Sequence, residues 1–465
     1  MKPPDPTTTD AEPPIPFLAT GSYPVRRGNR VRPLVDGIPA FRRIGEAVEA
    51  ARRSVWVTVT FFADDFQMPD GRGSFFDLLD RAVVRGLDVR VIFWRPNPES
   101  SGYGRTFAGT SADRAWLQAR SSRFRVRWDR APAAFCQHQK SWLIDAGEPS
   151  ETVFIGGMNL TGFALASPGH PEGARHDLYV ELAGPAATDV HHNFVQRWNE
   201  ASERMMEDGL WGHSGDDALP FPTHLAGPQG ETPAQIQRNL HAGLYRDGHP
   251  TPGGEAYDIA AGERTIFEQY RRAIDAARRT IYIENQAVPT PAIARGIEAA
   301  LRRGVDVVAL VPAEPEGHVR QGRRDPDPEW RAFFAQIAAL GRYENFTLAG
   351  IAARDGLGSR RNVYVHGKAM LIDDDWATIG SCNLHWHSMN GNSEMNVSFR
   401  DPATVKALRC QLLAEHLDRD TAHLDDRAAL RLYREVAKEN RRKRDSGDVD
   451  WQGLAFRLDP ARYGE

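Results

Sequence analysis

The stretch His138-Gln139-Lys140-Ser141-Trp142-Leu143-Ile144-Asp145 returns later in the chain as His366-Gly367-Lys368-Ala369-Met370-Leu371-Ile372-Asp373. In both copies a histidine and a lysine stand two residues apart, ahead of a short apolar run that ends on aspartate. A short apolar run of this kind reads as a buried strand. Residues two apart on a strand share a face, so imidazole and ammonium point to the same side in each copy.

Working outward, the repeat extends well beyond these residues. Ala50-Ala51-Arg52-Arg53-Ser54-Val55-Trp56-Val57 has its counterpart in Ala276-Ala277-Arg278-Arg279-Thr280-Ile281-Tyr282-Ile283. Each reads as the end of an amphipathic helix running into a buried strand. Phe41, Ile44, Ala47 and Val48 keep helical spacing upstream of the first, and Ile266, Tyr270 and Ile274 upstream of the second. A second helix follows in each copy, Phe75 to Val84 and Ile293 to Leu301. It is closed by Gly86 or Gly304, where a left-handed residue is cheap. The β-branched runs Leu87-Asp88-Val89-Arg90-Val91-Ile92 and Val305-Asp306-Val307-Val308 then suit interior strands. Alternation of this kind predicts an α/β chain of two homologous halves. The boundaries read as a Pro-rich disordered tail (1–29), an N-terminal half (30–210), a linker rich in Gly, Pro and His (211–249), a C-terminal half (250–425), and a C-terminal helix and tail (426–465). The basic run Arg441-Arg442-Lys443-Arg444 reads as a solvated helix end, and His191-His192 as an ordinary surface pair.

Downstream of each histidine the same two features recur. Gly156-Gly157-Met158-Asn159 and Gly380-Ser381-Cys382-Asn383 are small-residue turns ending on asparagine. Small residues let backbone approach a ligand, and an amide can donate to a phosphoryl oxygen. A carboxylate follows at the head of an alternating strand, Asp177 in the first copy and Glu394 in the second. A cation beside a nucleophilic imidazole is useful when an anion must be held there, and phosphate is the obvious candidate. Histidine titrates near neutrality, so of two such groups one can serve as base and the other as acid.

These copies resemble the paired HKD motifs of the phospholipase D superfamily, over most of residues 35–420. Ile281-Tyr282-Ile283-Glu284-Asn285-Gln286 resembles a segment of its lipid-acting members, and Leu408-Arg409 with Ala414-Glu415-His416-Leu417 resembles their C-terminal signature. Gly28-Asn29-Arg30 to Asp36-Gly37 looks like the opening of cardiolipin synthases. The resemblance implies a central mixed sheet flanked by helices, with the halves packed pseudo-twofold around one active site. It implies His138 as the nucleophile, forming a phosphohistidine, and His366 as the acid and then the base. Lys140, Lys368, Asn159 and Asn383 would hold the non-bridging oxygens. Each carboxylate would serve the histidine of the opposite half, so that Glu394 pairs with His138 and Asp177 with His366. Asp145 and Asp373 would hold structure by salt bridges, with Gly157 and Ser381 shaping the turns.

Composition narrows the field. The chain has 465 residues with 41% hydrophobic, 26% charged, and a formal net charge of −4. That balance lacks the basic excess of a general nucleic-acid binder. Three cysteines, Cys136, Cys382 and Cys410, give neither a close pair nor an even number, which points to a reducing compartment. No run is long and apolar enough to span a bilayer. The expectation is a cytoplasmic protein that meets a membrane from its surface. The group Cys382, His385 and His387 fits no common zinc signature. No cofactor and no metal are expected, because lysines and a protonated histidine supply positive charge. The expected substrate is a glycerophospholipid at a membrane surface, with water or an alcohol as acceptor. Cardiolipin synthesis, nucleic-acid cleavage and non-catalytic lipid binding are the alternatives. No nucleic-acid partner is required, and a monomer suffices because one chain carries both motifs.

Overall fold

The computed structural model describes residues 14–120, 124–171, 173–205 and 217–465. Its central strands follow from the apolar runs. Ser54–Val59 is buried at every position, as is Thr280–Asn285. Their alternate residues serve different cores. Val55, Val57 and Val59 pack under the first half's helices, and Ile281 and Ile283 under those of the second. Trp56 and Tyr282 point the other way, into one large cluster shared by both halves. Leu143 and Leu371 of the histidine-bearing strands join that cluster, while Trp142 and Met370 face outward to the helices. Each sheet is therefore covered on both faces, as the unbroken apolar runs require.

The two sheets share one strand order. In the first half Ser54–Val59 pairs in parallel with Asp88–Trp94, which pairs in parallel with Arg125–Asp129. On its other side it pairs antiparallel with Ser141–Ile144, followed by Thr152–Gly156, Leu178–Ala183 and Arg26–Val35. In the second half Thr280–Asn285 pairs with Asp306–Leu310 and then Phe346–Arg354 in parallel. On its antiparallel side come Lys368–Ile372, Trp376–Gly380, Glu394–Arg400 and Thr232–Leu240. The start of Arg26–Val35 also pairs with Thr232–Leu240, which joins the sheets.

Three expectations need correction. The stretch 211–249 is not simply a linker: Thr232–Leu240 is a sheet strand and the second-half counterpart of Arg26–Val35, while 211–216 lies outside the described residues. The tail 1–29 is not disordered throughout, since Ile15, Leu18 and Tyr23 are buried and a strand begins at Arg26; residues 1–13 lie outside the described residues. His191 and His192 are not at the surface. Helix Ala187–Glu200 is buried almost end to end, His191 lies 2.9 Å from Glu151, and His192 lies 3.1 Å from the Tyr23 hydroxyl. The basic run at 441–444 is tied down locally, with Arg441 on Asp445, Arg442 on Glu439, and Arg444 over the ring of Phe456.

Candidate active site

Each histidine lies just before its strand, where the chain crosses to the other half. The His138 backbone N–H donates to the Ser393 carbonyl at 2.9 Å, and the His366 N–H to the His176 carbonyl at 2.7 Å. These crossings lay each histidine beside the carboxylate of the opposite repeat. His138 Nδ1 is 2.9 Å from Glu394 Oε2, and His366 Nδ1 is 2.5 Å from Asp177 Oδ2. All four side chains are buried. With Nδ1 committed in both rings, Nε2 is the atom each imidazole has free for chemistry.

The two pairs are not electrically equivalent. Glu394 accepts the Ser381 hydroxyl at 2.5 Å and the Ser388 hydroxyl at 2.5 Å, in addition to His138. Burial alone would raise its carboxyl, but His138, Lys140 and Ser381 together hold it below its ordinary range. Among the described residues Asp177 has no hydroxyl donor. Besides His366 it accepts the Leu178 N–H at 2.8 Å. Burial pushes its carboxyl up to about 7, against the opposing pull of Lys368. Burial also pushes both imidazoliums down, His138 against the pull of Glu394, and His366 further with the help of Lys368. The residue matching Ser381 in the first repeat is Gly157, which has no donor to give. A Cβ there would stand 2.4 Å from Asp177 Oδ1 and 2.9 Å from Lys368 Cδ, so glycine is required by space as well.

The lysines complete a positive floor. Lys140 Nζ donates to the His138 carbonyl at 2.8 Å; Lys368 Nζ donates to Gln286 Oε1 at 3.1 Å and also to the His366 carbonyl. Burial lowers Lys140 to about 8 and Lys368 to about 7. Asn159 and Asn383 are both buried with Oδ1 unpartnered, a repeat-symmetric arrangement.

Asp145 and Asp373 sit away from this group and accept backbone hydrogen bonds, with the Arg279 charge also acting on Asp373. Asp145 Oδ1 accepts the backbone N–H groups of Arg52, Arg53 and Ser54 at 2.9, 2.8 and 3.3 Å. Asp373 accepts those of Arg278, Arg279 and Thr280 at 2.9, 2.8 and 2.7 Å. Each therefore fixes the helix-to-strand corner that positions its central strand. Sequence reasoning missed three members of the site. Gln286 holds Lys368, Ser388 holds Glu394, and His385 lies with Nε2 3.4 Å from Asn383 Nδ2. Gln286 lies inside a segment whose pattern was visible, whereas Ser388 and His385 carried no repeat signal.

The fold and site thus define a duplicated α/β chain with two crossed His–carboxylate pairs over buried lysines. A family model described as "Cardiolipin synthase, PLD-like domain" matches residues 270–415. Phospholipase D A of Dictyostelium discoideum is 24% identical over 81% of this chain and 33% of its own length. Cardiolipin synthase A of Pseudomonas entomophila is 24% identical over 89% of this chain and 74% of its own. This chain therefore spans only a third of the first relative and about three quarters of the second. The crystal structure of phosphatidylserine synthase from Haemophilus influenzae Rd KW20 shares the fold, with a TM-score of 0.51 at 13% identity over 82% of this chain and 86% of that one. Residues 270–415 thus match the PLD-like domain, and most of the chain is similar to proteins named phospholipase D and cardiolipin synthase. Among the described residues no helix is long and apolar enough to cross a membrane.

Proposed function

We propose that this protein is a phospholipase D-type phosphodiesterase that transfers the phosphatidyl group of a glycerophospholipid to water or to an alcohol. The observation that carries this reading is the crossed pairing of two imidazoles with carboxylates of the opposite halves, each leaving Nε2 free beside a buried lysine. His138 is the nucleophile. Its Nδ1–H donates to an ionised Glu394, which leaves the Nε2 lone pair free. The His366–Asp177 pair has fewer outside donors and holds an extra proton, so Nε2–H of His366 is available as acid.

In the first step His138 Nε2 bonds to phosphorus, the bond to the head-group oxygen breaks, and His366 Nε2 gives that oxygen its proton. In the second, water or an alcohol surrenders a proton to His366 Nε2 and attacks phosphorus. The P–N bond breaks and His138 is restored. Lys140, Lys368 and the amides of Asn159 and Asn383 hold the non-bridging oxygens as charge develops.

The names of the relatives favour a second reading of the same chemistry, in which phosphatidylglycerol is the acceptor and cardiolipin the product. Mixed phosphatidylcholine, phosphatidylethanolamine and phosphatidylglycerol vesicles, incubated with and without a primary alcohol and read by mass spectrometry, separate these outcomes. Phosphatidic acid and phosphatidyl-alcohol, absent with His138→Ala, support the phospholipase. Cardiolipin formed without added alcohol assigns the synthase. Absence of any lipid product refutes both lipid readings. A phosphopeptide trapped at His366 instead of His138 reverses the assigned roles.

A further inference from the structure

Along the extended chain Asp177 turns toward His366, and its neighbour His176 turns the other way, into a second buried constellation. Four donor atoms converge there, from Asp36, His170, His176 and Glu415, all within 4.8 Å of one another. The spacings are short and similar. His176 Nδ1 is 3.0 Å from Asp36 Oδ1 and 3.3 Å from His170 Nε2, and His170 Nε2 is 3.5 Å from Asp36 Oδ2 and 3.3 Å from Glu415 Oε1. Four ligands at the bond lengths typical of zinc with nitrogen and oxygen would sit roughly 3.3 Å apart at tetrahedral corners.

The outer atoms strengthen the argument. His176 Nε2 lies 3.0 Å from Glu284 Oε2, and His170 Nδ1 lies 3.0 Å from the Ala174 carbonyl. A carboxylate and a carbonyl are acceptors, so those nitrogens carry hydrogen and the remaining nitrogen of each ring faces the centre. That is how metal-binding imidazoles are oriented by outer partners. Glu415 Oε1 is itself held by the Gly169 N–H at 2.7 Å. Asp36 is fully buried, and its Oδ2 has no hydrogen-bond partner while facing this centre. Two neutral imidazoles and two carboxylates would bring a dication to zero net charge, which suits a site this dry.

We propose that Asp36, His170, His176 and Glu415 form a tetrahedral site for zinc or a divalent ion of similar preference. The site is structural and lies outside the phosphate-binding chemistry. It clasps the halves together, since Asp36, His170 and His176 come from the first and Glu415 from the second. It goes beyond the expectation of no metal drawn from the sequence, and it does not depend on the lipid reading.

The test uses the untagged full chain, stripped with chelating resin, reloaded with zinc or cobalt and desalted. Metal is counted by mass spectrometry and stability followed by thermal melting. The expected result is about one retained ion per chain and a higher melting temperature with zinc. The cobalt form should show the intense visible absorption of four-coordinate cobalt. His170→Ala, outside the helices and strands, should lose the ion and its stabilisation while keeping its circular-dichroism spectrum. Should that variant fail to fold, the wild-type stoichiometry and the cobalt spectrum decide. A wild-type chain that retains no metal, a cobalt spectrum of six-coordinate type, or an unchanged ion count in folded His170→Ala would overturn the proposal. The cluster would then be a proton-bridged network in which the His176 ring spans Asp36 and Glu284.

Discussion

Ser381→Ala offers a direct test of why His138 should be the nucleophile. The Ser381 hydroxyl reaches Glu394 Oε2, the same oxygen that His138 Nδ1 faces, at 2.5 Å inside a fully buried pocket. A hydrogen bond from a neutral group to a carboxylate contributes about 1.5–3 kcal/mol. Removing it leaves Ser388 as the remaining hydroxyl donor to Glu394 and eases protonation of that carboxyl. A protonated Glu394 would donate to His138 Nδ1 and move the ring proton onto Nε2, the attacking atom. If the whole bond energy is felt in the first step, kcat/KM falls by roughly 10- to 150-fold. The sign of the pH effect follows as well. The working form has Glu394 ionised, so activity is lost as pH falls through its pKa. Ser381 helps to hold that pKa down, so the acid limb of the variant should move to higher pH. Initial rates of phosphatidyl-alcohol formation across pH, with melting temperature as the folding control, measure both effects. A Ser381→Ala enzyme within threefold of wild type, with an unmoved acid limb, would refute the assignment of Glu394 as the fixed anion.

Three further outcomes follow from the same geometry. Lys140 and Lys368, lowered by burial to about 8 and about 7, hold phosphate only while protonated, so kcat/KM should fall as pH rises through that window; a profile flat to about 10, where ordinary lysines titrate, would contradict this. Gly157→Ala places a methyl 2.4 Å from Asp177 Oδ1 and 2.9 Å from Lys368 Cδ, so turnover should drop at least tenfold, on the order of 1.4 kcal/mol, while circular dichroism is unchanged. Asp373→Ala removes the acceptor of three backbone N–H groups and should cost about 3 kcal/mol of stability by denaturant titration, with head-group preference unaltered in the folded fraction.

What the sequence reveals and what it hides divides along physical lines. The central strands are legible because both faces are apolar, and the crossed histidine–carboxylate pairs because a repeat presents each residue twice. Thr232–Leu240 is obscured because Gln235, Gln237, Arg238 and Asn239 are buried polar residues, several of them satisfied by distant partners. Gln235 accepts the Leu18 N–H and donates to the Tyr23 carbonyl, and Arg238 pairs with Glu263 at 2.7 Å. The apolar alternation of Ala234, Ile236 and Leu240 is broken by Arg238, which leaves a weak period to read. The Asp36, His170, His176 and Glu415 cluster is hidden for a related reason: its donors come from separated segments with no ligand spacing, and the fold alone brings them together. The difference between Gly157 and Ser381 is visible in the sequence, yet its meaning is not. Only when the crossed strands set Ser381 against Glu394 and leave Asp177, among the described residues, without a hydroxyl donor does one substitution between repeats become a difference in how the two carboxylates are held. A duplicated site has two interchangeable histidines, and this departure from symmetry is what supports distinct roles for them.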